Sequence, residues 1–457
     1  MTDRGAHTLD GVLGLRLAVW GLGAEGSAMV AIARARGIEP LLIDDDPARV
    51  SGVDGSGAGV RHPSEVRWSA VDVVVRAPGV SRYRPELAAA EAAGVTVTTG
   101  MALWLEDFAG SAVLAVTGTK GKSTTASLAA DILRRDGLDV ALIGNIGVPV
   151  LDTYDMPRPD AFVVEVSSYQ AADVTTSPRA VVLTSLAPDH LDWHGGIESY
   201  YRDKLRLVEA GRPDGGPCAL AVCAGNEEAV RRTGTHGGRT LYGPEGTVVL
   251  GSDGWVEVDG RRLVDAGRLR VPGRHNAWNL CGAVAGVLLL AGRVPAGDAV
   301  AGAVDGFAGL PSRCHELGER GGRTFVDDAL ASNPFASAAS IETFSGRPLT
   351  VIVGGADRGV DPGPLVDALA AHRPPVTVVV LTPDTDRLAG ALAGAGVAPG
   401  AVRTADDLAG AVEVAADLTP VGGVVLFSPG APTPEGGGGY RARSRQFAEA
   451  AGLDPPG

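Results

Sequence analysis

Cysteine is scarce. The four present, Cys218, Cys223, Cys281 and Cys314, are scattered without the paired spacing of a zinc site. A disulfide framework is not expected, and free buried thiols in a reducing compartment are the simpler reading. Long runs of Lys or Arg are also missing, and the formal net charge is −14. That argues against a nucleic-acid-binding face, which needs clustered positive charge. Apolar runs are short. Met1 to Trp20 holds none suited to a signal peptide, and Ala283 to Ala291 is too short to cross a bilayer. No stretch has the low hydrophobicity of a disordered arm. The expectation is a cytoplasmic protein with neither a membrane nor a nucleic-acid partner.

The chain does have length and apolar residues. Its 457 residues are too many for one ordinary core, and an apolar fraction of 45% suffices for two to four domains. Three blocks alternate short apolar runs with helix-like segments. The first has runs at Leu17–Trp20, Pro40–Asp44, Val71–Val75 and Val95–Thr98. The second has runs at Val113–Val116, Val140–Ile143, Ala161–Glu165 and Ala180–Leu183, and closes with a helical pattern from Asn276 to Leu290. The third has runs at Thr324–Asp327, Leu349–Val353, Val376–Val380 and Gly423–Phe427. Near-continuous apolar strands separated by helices predict an α/β fold with largely parallel sheets. Block edges near Phe108 and near Leu310-Pro311 predict domains over 1–108, 109–310 and 311–457.

The strongest chemical motif is Val113-Leu-Ala-Val-Thr-Gly-Thr-Lys-Gly-Lys-Ser-Thr-Thr. An apolar strand enters Gly118-Thr119-Lys120-Gly121-Lys122-Ser123, and a helix follows. Gly118 and Gly121 let backbone N–H groups approach phosphate oxygens. Lys122 would reach the β- and γ-phosphates of ATP, and Ser123 or Thr124 could bind Mg²⁺. The loop is shorter than the general P-loop spacing, and an ordinary glycine turn before a helix is the bland alternative. A second glycine loop, Gly21-Leu-Gly23-Ala-Glu-Gly26, follows the first strand, with Asp44 after the second. Alone this reads as a dinucleotide fingerprint. A nicotinamide site would leave the downstream phosphate loop without a role, so a nucleotide-linked substrate is the preferred occupant. Glu165 ends an apolar run, Asp189-His190 follows another, and Lys204 lies in a helix-like segment. Each alone is more often structural. Behind one phosphate loop they suggest a cation site, since carboxylate oxygen and His nitrogen hold Mg²⁺ or Mn²⁺.

Taken in order, Gly118-Thr-Lys-Gly-Lys-Ser-Thr, Gly144-Asn-Ile-Gly, Glu165-Val-Ser-Ser-Tyr-Gln, Asp189-His190-Leu-Asp, Lys204 and Gly273-Arg-His-Asn-Ala-Trp-Asn resemble the Mur ligase family. Leu310-Pro-Ser-Arg, Val326-Asp-Asp and Gly354-Gly-Ala-Asp-Arg extend the resemblance over nearly the whole chain. It implies a Rossmann-like N-terminal domain for the UDP-linked substrate, a P-loop ATPase-like central domain, and a Rossmann-like C-terminal domain for the amino acid. It also implies ATP-dependent amide formation through an acyl phosphate.

By that resemblance Gly118, Thr119, Lys120, Gly121, Lys122, Ser123 and Thr124 hold ATP phosphates. Asn276, Arg313 and Asp328 hold its adenosine and phosphate. Lys122, His190 and Lys204 are the expected catalytic residues. Ser123, Glu165, His190 and Lys204 are the expected metal ligands, with Lys204 N-carboxylated. Gly21, Gly23, Gly26 and Asp44 would frame the uridine diphosphate, and Asn145, Ser167 and Gln170 would contact the muramoyl part of UDP-N-acetylmuramoyl-L-alanine. Ser332, Arg358 and Thr433 would contact glutamate.

Members that add D-glutamate usually carry Lys where this chain has Leu330, and Thr where it has Ser332. They also carry Lys after the later Gly-Gly, where this chain reads Gly354-Gly-Ala-Asp-Arg358. This version resembles the branch that adds L-glutamate, which implies a separate epimerase downstream. The rivals are a folate-polyglutamylating ligase, a Mur ligase for another amino acid, and an idle assembly subunit. The N-terminal glycine loop argues against the first, and Lys122, Glu165, His190 and Lys204 together argue against the last.

Overall fold

The structure is a computed structural model, and it describes residues 7–46, 59–271, 273–356, 361–381, 386–395, 401–434 and 438–455. The fold is mixed α/β with three sheets, mostly parallel. The first contains β1 (Leu17–Trp20), β2 (Leu41–Ile43), β3 (Val73–Arg76) and β4 (Thr96–Thr98) in the order β2-β1-β3-β4, all parallel. The strand order turns between β1 and β3, which opens a crevice beyond their carboxyl ends.

The second sheet has nine strands. They are β5 (Val113–Thr117), β6 (Val140–Gly144), β7 (Ala161–Glu165), β8 (Ala180–Leu183), β9 (Ala219–Cys223), β10 (Arg239–Gly243), β11 (Val248–Leu250), β12 (Trp255–Val258) and β13 (Arg261–Asp265). Their order is β13-β12-β11-β10-β9-β8-β5-β7-β6, with β5 parallel to both its neighbours. The third sheet has β14 (His315–Arg320), β15 (Arg323–Asp327), β16 (Leu349–Val353), β17 (Thr377–Leu381), β18 (Val402–Ala405) and β19 (Val424–Phe427), ordered β14-β15-β19-β16-β17-β18.

The apolar runs became strands because both faces are covered. Every residue of β1, β3, β5, β7, β8 and β16 is buried. The strands β9 to β13 were not among the expected ones. β12 and β13 pair antiparallel; burial alternates along β12, with Val256 and Val258 inward, while β13 buries only Val264.

By packing, the chain forms two compact units: Met1–Arg268 with His275–Gly306, and Leu269–Arg274 with Phe307–Gly457. In the first, one core joins residues of both sheets, among them Val19, Val75, Val113 and Phe162. Phe108, at the expected first boundary, is buried there. It stacks on Trp104 at 4.5 Å between ring centroids, and Trp104 Nε1 donates to Thr153 Oγ1 at 2.8 Å. Among the described residues no helix is long and apolar enough to cross a membrane.

Candidate active site

The loop from Gly118 to Gly121 leaves β5 where the strand order turns. Gly118 has φ 146°, and a Cβ there would lie 2.0 Å from Thr184 Oγ1. Gly121 has φ 86°, and a Cβ would lie 2.3 Å from Asn279 Oδ1. Both positions therefore demand glycine. The helix Lys122–Arg135 starts at once, with no side chain capping it. Its first N–H groups and positive dipole end suit an anion. Lys122 Nζ donates to Thr119 O at 3.2 Å. Thr119 Oγ1 lies 2.8 Å from Tyr200 Oη and 3.0 Å from Ala187 O. Lys120 is exposed, 3.6 Å from Asp189 Oδ2, and Thr124 is half-buried.

Glu165, at the end of β7, is fully buried. Ser123 Oγ donates to its Oε2 at 2.6 Å and Asn145 Nδ2 to its Oε1 at 2.8 Å. Lys204 sits on the helix Ile197–Glu209, only 2% exposed, and its Nζ donates to Gly118 O at 2.9 Å. Burial, and then Lys122, hold its pKa well below the usual lysine value. His190 has φ 52°, a left-handed conformation rare outside glycine. Although its side chain is 46% exposed, the pocket walls desolvate it enough to lower its pKa. Asp189 opposes that shift, and Lys204, Lys120 and Lys122 add to it. Lys122, His190 and Lys204 line one pocket with Gly118, Thr119, Ser167 and Tyr200.

No group of three or more His, Cys, Asp or Glu able to hold a metal occurs among the described residues. The donor set still suits Mg²⁺, which binds through one or two carboxylates and completes its shell with phosphate and water oxygens. Glu165 with Ser123 offers that kind of partial site.

The other expected residues are spread over several elements. Ser167 and Gln170 form a capping box on the helix Ser168–Ala171. Gln170 Nε2 also reaches Glu25 Oε1 at 2.7 Å, which ties it to the helix that follows the first glycine loop. Gly21 has φ 88°, and a Cβ on Gly26 would lie 1.9 Å from Gly21 O, so Gly26 permits close loop–helix packing. Gly23 faces open space. Asp44 Oδ2 accepts from the Leu22 N–H at 2.9 Å and Oδ1 from Asp46 N at 3.1 Å, so its carboxylate fastens the loop.

Asn276 accepts from Asn279 Nδ2 at 3.2 Å, and Asn279 abuts Gly121. In the second unit Asp328 is buried after β15. It accepts from Cys314 N at 3.0 Å and from the hydroxyls of Ser340 and Ser428, each at 2.6 Å. Burial raises its pKa to about 6 against those bonds. Arg313 and Thr433 are half-buried and Ser332 is exposed. Arg358 lies outside the described residues.

Sequence reasoning missed what surrounds these groups. Tyr200 precedes Lys204 by one helical turn, a spacing that places both on one face. A loop after β3 reaches the segments beside His190. Arg76 Nη2 donates to Tyr169 O at 3.1 Å and forms a buried ion pair with Asp173. Trp193 Nε1 donates to Pro78 O at 3.1 Å, and Ser81 Oγ donates to Trp193 O at 2.5 Å. No local pattern announces such contacts.

A phosphate loop, a buried acid hydrogen-bonded to the helix that follows it and a buried lysine hydrogen-bonded to the loop itself describe a nucleotide-driven ligase, one that activates an acid and joins it to an amine. The Mur ligase middle domain is matched over residues 116–287, and the Mur ligase glutamate ligase domain over 312–430. A Micromonospora sp. protein named UDP-N-acetylmuramoyl-L-alanine–L-glutamate ligase is 42% identical, covering 97% of each chain. One of the same name from Xanthomonas campestris pv. campestris is 36% identical, over 97% of this chain and 96% of its own.

Solved structures agree in fold. The UDP-N-acetylmuramate-alanine ligase MurC of Thermotoga maritima has a TM-score of 0.58 at 19% identity, covering 96% of this chain and 99% of its own. Mycobacterium tuberculosis folylpolyglutamate synthase has 0.59 at 19%, covering 78% and 95%. The chain belongs to the Mur ligase family and is an ATP-dependent ligase that forms an amide bond.

Proposed function

We propose that this ligase adds L-glutamate to UDP-N-acetylmuramoyl-L-alanine, in the cytoplasm, during peptidoglycan precursor synthesis. The observation that carries the reading is the 42% identity, over 97% of both chains, to a relative named for that reaction. Residues 1–108 take the UDP-linked substrate, 109–310 take ATP and 311–457 take glutamate. A separate epimerase would then invert the added residue.

In the first step the alanyl carboxylate oxygen attacks the γ-phosphorus of ATP, the bond to the β-phosphate oxygen breaks, and ADP leaves. Lys122 and the helix N–H groups behind Gly121 offset charge on the transferring group. Held by Ser123, Glu165, His190 and Lys204, Mg²⁺ (or Mn²⁺) would neutralise phosphoryl oxygens. Lys204, with its depressed pKa, is suited to hold CO₂ as a carbamate, because the neutral amine is the form that reacts. Carboxylation turns a cation into an oxygen ligand. In the second step the glutamate amine attacks the acyl carbon and phosphate leaves. Asn145, Ser167 and Gln170 orient the muramoyl part, and Ser332, Arg358 and Thr433 grip glutamate. The absence of Lys at Leu330 favours the L form by resemblance.

The test is ADP release with UDP-N-acetylmuramoyl-L-alanine and each glutamate enantiomer. L-Glutamate is expected to give the higher kcat/KM. Equal or greater values for D-glutamate overturn the stereochemistry alone, and no turnover with either overturns the reaction.

A further inference from the structure

Ser168 lines the same pocket as Lys122, His190 and Lys204. Its Oγ lies 3.0 Å from His194 Nε2, and His194 Nδ1 lies 2.6 Å from Asp203 Oδ2. His194 is fully buried, and Ser168 and Asp203 are 3% and 2% exposed. The rings of Trp193, Tyr200 and Tyr169 wall the imidazole at 4.4, 5.2 and 5.6 Å. Asp203 also accepts from Tyr83 Oη at 2.8 Å, and Tyr83 accepts in turn from Arg202 Nη2 at 2.9 Å.

The hydrogen bonds fix a direction. A carboxylate only accepts, so His194 Nδ1 carries the proton, and in the neutral ring Nε2 must accept. With the ring neutral, Ser168 gives its one hydroxyl proton to His194. Its lone pairs are left for a donor in the pocket.

We propose that Ser168, His194 and Asp203 are a proton relay that drains the attacking amine in the second step, an inference that rests on the ligase reading above. When the amine nitrogen bonds to the acyl carbon it holds one proton too many. That proton passes to Ser168 Oγ as the serine proton passes to His194 Nε2. The C–O bond to phosphate then breaks, and phosphate leaves with the electron pair. Asp203 steadies the imidazolium until the proton returns to solvent. Ser168 touches the reacting nitrogen, while His194 and Asp203 act through it.

The test separates the two steps by changing the acceptor. Hydroxylamine is weakly basic, sheds its proton readily to water and traps acyl phosphates as hydroxamates. Wild-type enzyme, Ser168→Ala and His194→Asn are assayed with the muramoyl substrate and ATP, using glutamate or hydroxylamine. In His194→Asn the amide keeps a donor for Asp203 but no group at Nε2. Glutamate ligation is expected to fall about a hundredfold in both variants, with hydroxamate formation within about threefold of wild type. Equal falls with both acceptors, or undiminished glutamate ligation in Ser168→Ala, overturn the relay. Failure of the wild-type enzyme to use glutamate overturns the ligase reading instead.

Discussion

Asp173→Leu should destabilise the protein by about 3–5 kcal/mol, the cost of leaving a buried charge unpaired. The Arg76 and Asp173 side chains are 0% and 1% exposed. Without Asp173, the Arg76 guanidinium keeps the carbonyls of Val80 at 2.9 Å and Tyr169 at 3.1 Å but loses its counter-charge. Burial already pulls its pKa down, with Asp173 acting against that. Arg82 also pairs with Asp173, yet at 27% exposure it can turn to water at little cost. Arg76→Met alone leaves Asp173 with Arg82, so it should cost less, about 1–3 kcal/mol. The double variant removes both buried charges and should recover most of the Asp173→Leu loss, to within about 2 kcal/mol of wild type. Thermal unfolding of the four proteins at one pH gives the order. A double variant that unfolds no later than Asp173→Leu refutes the reasoning, because the loss would then come from shape and not from charge.

Lys122→Ala should lower ligation by about a hundredfold or more while leaving circular dichroism unchanged, and near-normal turnover would exclude its phosphate role. Lys204→Ala should lose activity that small carboxylic acids partly restore, and wild-type enzyme stripped of CO₂ should recover on adding bicarbonate. An intact mass showing free lysine, with an active Lys204→Ala, would remove the carbamate. The raised pKa of Asp328, about 6, means the folded state holds its proton more tightly than the unfolded one. The stability it contributes is present at low pH and fades as pH rises to about 6, by at most about 3 kcal/mol. Asp328→Asn should therefore raise the melting temperature more at pH 7 than at pH 4.5, and a pH-independent difference would contradict the shift.

The parallel strands were legible because burial on both faces writes an unbroken apolar run, as in Val113–Thr117 and Leu349–Val353. The extension from Ala219 to Asp265 was not. Its outer strands are short and carry charged residues beside few apolar ones, as in Arg261-Arg-Leu-Val-Asp, a composition shared with loops. For the site, Gly118 to Ser123 could be read from local chemistry. The place of Glu165, His190 and Lys204 came from their order along the chain and from resemblance. Partnerships such as Gln170 with Glu25, 145 residues apart, or Arg76 with Tyr169, leave no trace in either sequence neighbourhood. Asp44, whose residue type and position suggested a ligand contact, also accepts from the Leu22 N–H, a bond that the sequence did not announce.

His190 holds a left-handed backbone that costs an L-residue with a Cβ about 1–2 kcal/mol. Asn tolerates that conformation better, and Gly adopts it freely. A laboratory selection that scored only heat resistance would therefore favour replacing this histidine, and on the metal-holding role proposed for His190 the winners would be sturdier and inert. A screen that scored only turnover would keep it and accept the lower melting point. At this one codon the two selections point in opposite directions, so a programme to harden the enzyme has to hold position 190 fixed and look for its gains elsewhere.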